Sequence, residues 1–155
     1  MNNGEFYLSD AIDVIEEVLS GGGEFRIFPK GTSMLPLIRQ GKDSVVLKRN
    51  FKHCAKKHDI AFYRRDSGAY VLHRVMKRCS DGTYIMCGDN QTELEKGIRK
   101  DQIIAYVSKI YREDKVLSVR SLKYRIYVAF WCFMPYRKAQ RIFMPKLIRF
   151  RSRLK

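Results

Sequence analysis

The fold turns on Tyr70-Val71-Leu72-His73-Arg74-Val75, the strand-like start of a run that ends at Asp81-Gly82 and returns through Thr83 to Cys87. Tyr70, Leu72 and Arg74 alternate against Val71, His73 and Val75, the period of two that a pleated strand imposes. Asp-Gly between two such runs signals a hairpin, because both residues tolerate the positive φ of a tight turn. Outward from this hairpin, Phe25 to Phe28, Ser44 to Leu47, Asp59 to Arg64 and Gln102 to Tyr111 read as further strands, with Asp66-Ser67-Gly68 as a turn. Gly88 to Lys100 reads as a polar loop. Ser9 to Leu19 reads as a helix with Ser9 as N-cap. Ile12, Ile15 and Val18 share one of its faces, Val14 lies beside them, and Gly21-Gly22-Gly23 ends it. The predicted class is mainly β: a coiled sheet or partial barrel with a short N-terminal helix and a basic C-terminal tail expected to be helical. The predicted divisions are 1–23 for helix and glycine linker, 24–112 for the sheet domain, and 113–155 for the tail.

Composition bounds the function. A chain of 155 residues, 45% hydrophobic and 30% charged, is long enough to bury a core and too polar to be mostly embedded in a bilayer. The net charge is +15, and the stretch from Lys115 to Lys155 alone holds 12 Lys and Arg with no Asp or Glu. The tail is therefore the basic part. Ile126 to Pro135 is apolar and aromatic, but about half the length of a spanning helix. An anionic membrane surface is the partner expected for 116–155, with Trp131 and Tyr127 at the interface and Lys and Arg toward lipid phosphates. A helix packed back on the body is the competing reading, and nucleic acid the weakest, since no recognised module is present. The first residues show no secretion signal, so the expected location is cytoplasmic, peripheral on the membrane through the tail. Cys54, Cys79, Cys87 and Cys132 match no zinc spacing, and His53, Cys54 and His58 share a Lys-rich turn. No metal or organic cofactor is expected.

The candidate chemistry starts at Gly31-Thr32-Ser33-Met34-Leu35-Pro36-Leu37. Pro36 cannot sit inside a helix or central strand without losing a hydrogen bond, and Gly31 can take angles other residues avoid. Ser33 is thus expected on a tight, irregular bend just past a strand. Serine is a weak nucleophile unless a base takes its proton and a third group orients that base. Of three histidines, His73 alone lies in a strand, which holds a side chain in one direction. Asp89, in Gly88-Asp89-Asn90, lies where the hairpin returns toward the start of the His73 strand, and a carboxylate there would orient the imidazole.

The blocks Gly31-Thr32-Ser33-Met34-Leu35-Pro36, Asp59-Ile60-Ala61-Phe62-Tyr63, Leu72-His73-Arg74-Val75 and Gly88-Asp89-Asn90 stand in an order that resembles one group. It is the serine peptidase superfamily that joins type I signal peptidases to the self-cleaving LexA-like repressors. Histidine in place of lysine resembles the archaeal and endoplasmic-reticulum signal peptidases. The resemblance spans roughly Phe25 to Tyr111. It implies the coiled-sheet peptidase fold over 24–112, Ser33 as nucleophile, His73 as general base and Asp89 as its orienting carboxylate. Met34 and Pro36 would shape the substrate groove, with Thr32 and the Ser33 N–H near the oxyanion. A second acidic residue of the histidine-type relatives falls on Glu93 or Glu95. The activity implied is endoproteolytic removal of a signal or leader segment from a peptide or protein precursor. The alternatives are a LexA-like regulator that cleaves itself, for which 32 residues before Ser33 leave no room for a DNA-binding domain, and an inactive peptide-binding module of the same fold.

Overall fold

The computed structural model describes residues 8–49, 54–113 and 115–132. It is an open antiparallel sheet of eight strands with a short helix at each end. Helix α1 spans Leu8–Ser20. The strands are β1 (Glu24–Ile27), β2 (Asp43–Lys48), β3 (Ile60–Arg64), β4 (Tyr70–Arg78), β5 (Tyr84–Cys87), β6 (Glu95–Ile98), β7 (Ile103–Arg112) and β8 (Lys115–Ser118), and helix α2 spans Leu122–Trp131. The order across the sheet is β1-β2-β7-β3-β4-β5-β6. Strand β7 is long enough to serve two neighbours on one edge: its first half pairs with β3 and its last residues with β8.

Alternation along the strands sorts side chains into two cores. Ile60 and Phe62 of β3 join Leu47, Leu72 and Ile110 in the larger one, which α1 covers with Ile12, Ile15 and Leu19. Ala61 and Tyr63 join Val75, Tyr84 and Met86 in the smaller one on the opposite face. Four of the ladders contain a register shift, at Val46/Leu47, Phe62/Tyr63, Val75/Lys77 and Tyr84/Met86. Such bulges increase the twist of a strand and bend it.

The predicted strands and the Asp81-Gly82 hairpin are present within a residue or two. Three readings are corrected. On α1 the buried face is Ile12, Ile15 and Leu19, while Val14 and Val18 are exposed, because Leu19 is a full helical turn from Ile15. Ser9 lies inside the helix rather than before it. The polar loop after Gly88 contains β6, an edge strand whose Glu95 and Ile98 pair with Met86 and Tyr84. Beyond residue 112, β8 pairs with β7, and α2 buries Tyr124, Val128 and Cys132 against the larger core. Ser121 caps α2, its hydroxyl accepting from the Tyr124 N–H. One face of α2 is thus packed on the body, while 133–155 and His53 lie outside the described residues. Among the described residues no helix is long and apolar enough to cross a membrane. All four cysteines are free thiols.

Candidate active site

The segment from Gly31 to Asp43 is a closed loop. Gly31 has φ +90° and donates its N–H to Gln40 Oε1 at 2.7 Å. At the far end Arg39 clamps Asp43 through Nε at 3.0 Å and Nη2 at 2.8 Å. Met34, Leu37 and Ile38 are buried and root the loop in the larger core. Ser33 sits at its bend, half-buried, on a cleft of about 110 Å³. Across that cleft lie Tyr70, Val71 and Leu72, the first residues of β4. Among the described residues neither the Ser33 hydroxyl nor its N–H makes a hydrogen bond. Met34 lines the cleft, and Thr32 and Pro36 are exposed and not among its lining residues.

Two contacts pin the serine bend to the loop after β5. The Asn90 N–H donates to the Ser33 carbonyl at 2.8 Å, and Asn90 Nδ2 to the Thr32 carbonyl at 3.2 Å. The approach needs Gly88: a Cβ there would lie 2.6 Å from the Ser33 carbonyl oxygen. Strands β4 and β5 are last paired at Arg74 and Cys87, and continuing that register one residue puts Gly88 across from His73. The glycine therefore lets the serine backbone come up beside the histidine.

His73 is 2% exposed and directed into the smaller core side of β4, the face it shares with Val71. Its Nδ1 lies 3.2 Å from the Tyr63 hydroxyl and 3.5 Å from Glu95 Oε1. Tyr63 donates its own proton to Glu95 Oε2 at 2.8 Å, so its oxygen is left to accept from His73 Nδ1–H. That assignment leaves the Nε2 lone pair as the basic site. Arg65 holds the Glu95 carboxylate through both Nε and Nη2. Burial opposes the charge on Glu95, and hydrogen bonds from Arg65 and Tyr63 outweigh it, keeping the carboxyl below its usual range. Burial pushes the His73 imidazolium down to about 4, against the opposing pull of Glu95.

Asp89 pairs with Arg74. Its carboxylate is fully buried against Arg74, with Nε at 2.7 Å and Nη2 at 2.6 Å. The Tyr127 hydroxyl donates to the same carboxylate at 3.3 Å, and Trp131 Nε1 to the Asp89 carbonyl at 3.0 Å. Arg74 also reaches the Tyr124 hydroxyl at 2.9 Å. Adjacent strand residues face opposite ways, and the aspartate lies on the Arg74 side. The carboxylate beside the histidine is Glu95, delivered by β6. Ser33 lines the cleft with Tyr70, Val71 and Leu72, whereas His73, next along β4, is not among its lining residues, and no hydrogen bond joins the two among the described residues. Gly88 brings the Ser33 backbone to the strand that carries His73, while Asp89 meets Arg74 on the other face.

No family model matches the chain, and neither a curated protein nor a solved structure does.

Proposed function

We propose that the protein is a serine endopeptidase acting on an extended segment of a peptide or protein precursor, with the coiled-sheet fold of the signal peptidase and LexA-like group. The observation that carries this reading is a Ser33 hydroxyl with no hydrogen bond among the described residues, on a cleft bordered by the start of β4, the strand that also carries a histidine whose Nδ1 is already committed. Ser33 Oγ would attack the scissile carbonyl while His73 Nε2 takes its proton, and the same nitrogen would then protonate the leaving amine. The Ser33 N–H, which makes no hydrogen bond among the described residues, would stabilise the oxyanion. Tyr63 would position the imidazole, Arg65 would hold Glu95 in place, and the Glu95 charge would favour the protonated ring against the opposing charge of Arg65. Substrate backbone has a place to lie: on the β5 side, β4 is paired only from Arg74 onward, so Tyr70 to Leu72 offer an open edge to an added strand.

The test is covalent labelling by a fluorophosphonate probe with the modified residue located by mass spectrometry, alongside digestion of a peptide library. Label on Ser33, cleavage by the native protein, and loss of both in Ser33→Ala and of cleavage in His73→Ala are the expected results. Absence of both label and cleavage would sink the reading. The missing Ser33–His73 hydrogen bond favours a second reading, a peptide-binding module without turnover, which predicts that Ser33→Ala binds library peptides as tightly as the native chain and that neither cuts them.

A further inference from the structure

We propose that the outward face of α2 docks the protein on an anionic lipid surface, an inference that does not depend on the peptidase reading. Helix α2 is apolar on two sides. Tyr124, Val128 and Cys132 face the core, and Tyr127 and Trp131, stacked with centroids 5.8 Å apart, turn toward Asp89. The aromatic pair expected at a membrane interface is thus committed to the body. On the other side Leu122, Ile126 and Phe130 recur every four residues, at 70%, 61% and 68% exposure. That spacing makes one stripe along the helix. Lys123 and Arg125 border it, and neither has an acidic partner among the described residues.

Charge selects the occupant. The chain from 133 to 155 carries eight Lys and Arg and no acid, so it bears the same sign as the border of the stripe. Folding that segment over the stripe, or setting a second copy of α2 against it, would bring like charges together. An anionic bilayer supplies what both lack: apolar depth for the stripe and negative headgroups for Lys123 and Arg125. No bilayer-spanning segment is needed for such attachment.

Full-length protein would be sedimented with phosphatidylcholine vesicles, with and without a third of phosphatidylglycerol. Binding should favour the anionic vesicles by about tenfold and weaken as salt is raised. Leu122→Asp with Ile126→Asp should reduce it by about tenfold with Tm unchanged, and the milder pair Leu122→Ser with Ile126→Ser covers the case where aspartates disturb folding. Equal binding to both vesicles, or binding that the stripe variants leave intact, overturns the proposal. So does release of bound protein by polyglutamate or duplex RNA as readily as by anionic vesicles, or sedimentation velocity showing that the stripe variants dissolve a dimer and leave vesicle binding untouched.

Discussion

His73 can act as a base only while its Nε2 lone pair is free, and its surroundings set the pH at which that holds. With the imidazolium pushed down to about 4 by burial, the ring is neutral throughout the physiological range. The acid limb of kcat/KM is therefore expected near pH 4, well below the roughly 6.5 of an ordinary histidine, with a plateau above about pH 6. A limb at 6.5 in a pH–rate profile would show a solvated imidazole. Glu95 pulls the other way, favouring the charged ring. Glu95→Gln should move the limb to still lower pH and reduce kcat by roughly 10²-fold, because the ring loses the charge that stabilises imidazolium and Tyr63, which accepts from the ring, loses the carboxylate that orients it. Tyr63→Phe tests the same relay without changing any charge, and should lower kcat while leaving the limb close to its original place.

At the scale of elements, the loop between β5 and β6 is the joint of the site. It contributes Gly88 to the serine bend, Asp89 to Arg74 and α2, and Asn90 to the Ser33 carbonyl. Gly88→Ala puts a methyl carbon where the Ser33 carbonyl oxygen lies, so one of the two loops must shift. The expected result is a fall in kcat/KM of about 10²-fold with a stability loss of about 1–3 kcal/mol, read by peptide cleavage and urea melts. Asp89→Ala should fail differently. It strands a buried guanidinium and is expected to destabilise the fold by about 3–5 kcal/mol, with loss of the α2 contact, whereas Glu95→Gln should melt close to the native chain. The bend at Ser33 and the strand at His73 were legible in the sequence because each is a local pattern, one broken by proline and one alternating. The pairing of Asp89 with Arg74 was not, because hairpin geometry brings that loop to the end of β4 without telling which of two adjacent residues, His73 or Arg74, it meets. Strand β6 was hidden by Glu95, Lys96 and Gly97, which an edge strand tolerates and a polar loop also favours. Tyr63 gave no signal beyond its place in an apolar strand.

Across the whole molecule the same buried histidine ties stability to pH. In the unfolded chain His73 would take up a proton near 6.5, but in the fold only near 4, so between those values the unfolded state binds more protons. Stability from this group is therefore unchanged above about pH 6.5, falls as pH drops from 6.5 toward 4, and is fully lost below that. The gap corresponds to at most about 3 kcal/mol. Depressed carboxylates such as Asp43 and Glu95 act with the same sign but in a lower window, from the ordinary carboxylate range downward, while Asp59, raised by burial, acts against them. The two contributions can thus be separated by pH. Urea unfolding at steps from pH 7.5 to 4.5 should show a steady loss for the native chain. His73→Gln should start lower, having given up part of its packing and its bond to Tyr63, and then hold nearly flat until the carboxylates titrate. Parallel slopes for the two proteins between pH 6.5 and 5 would mean that His73 is hydrated in the fold, which would also remove the reason for expecting its catalytic limb near pH 4.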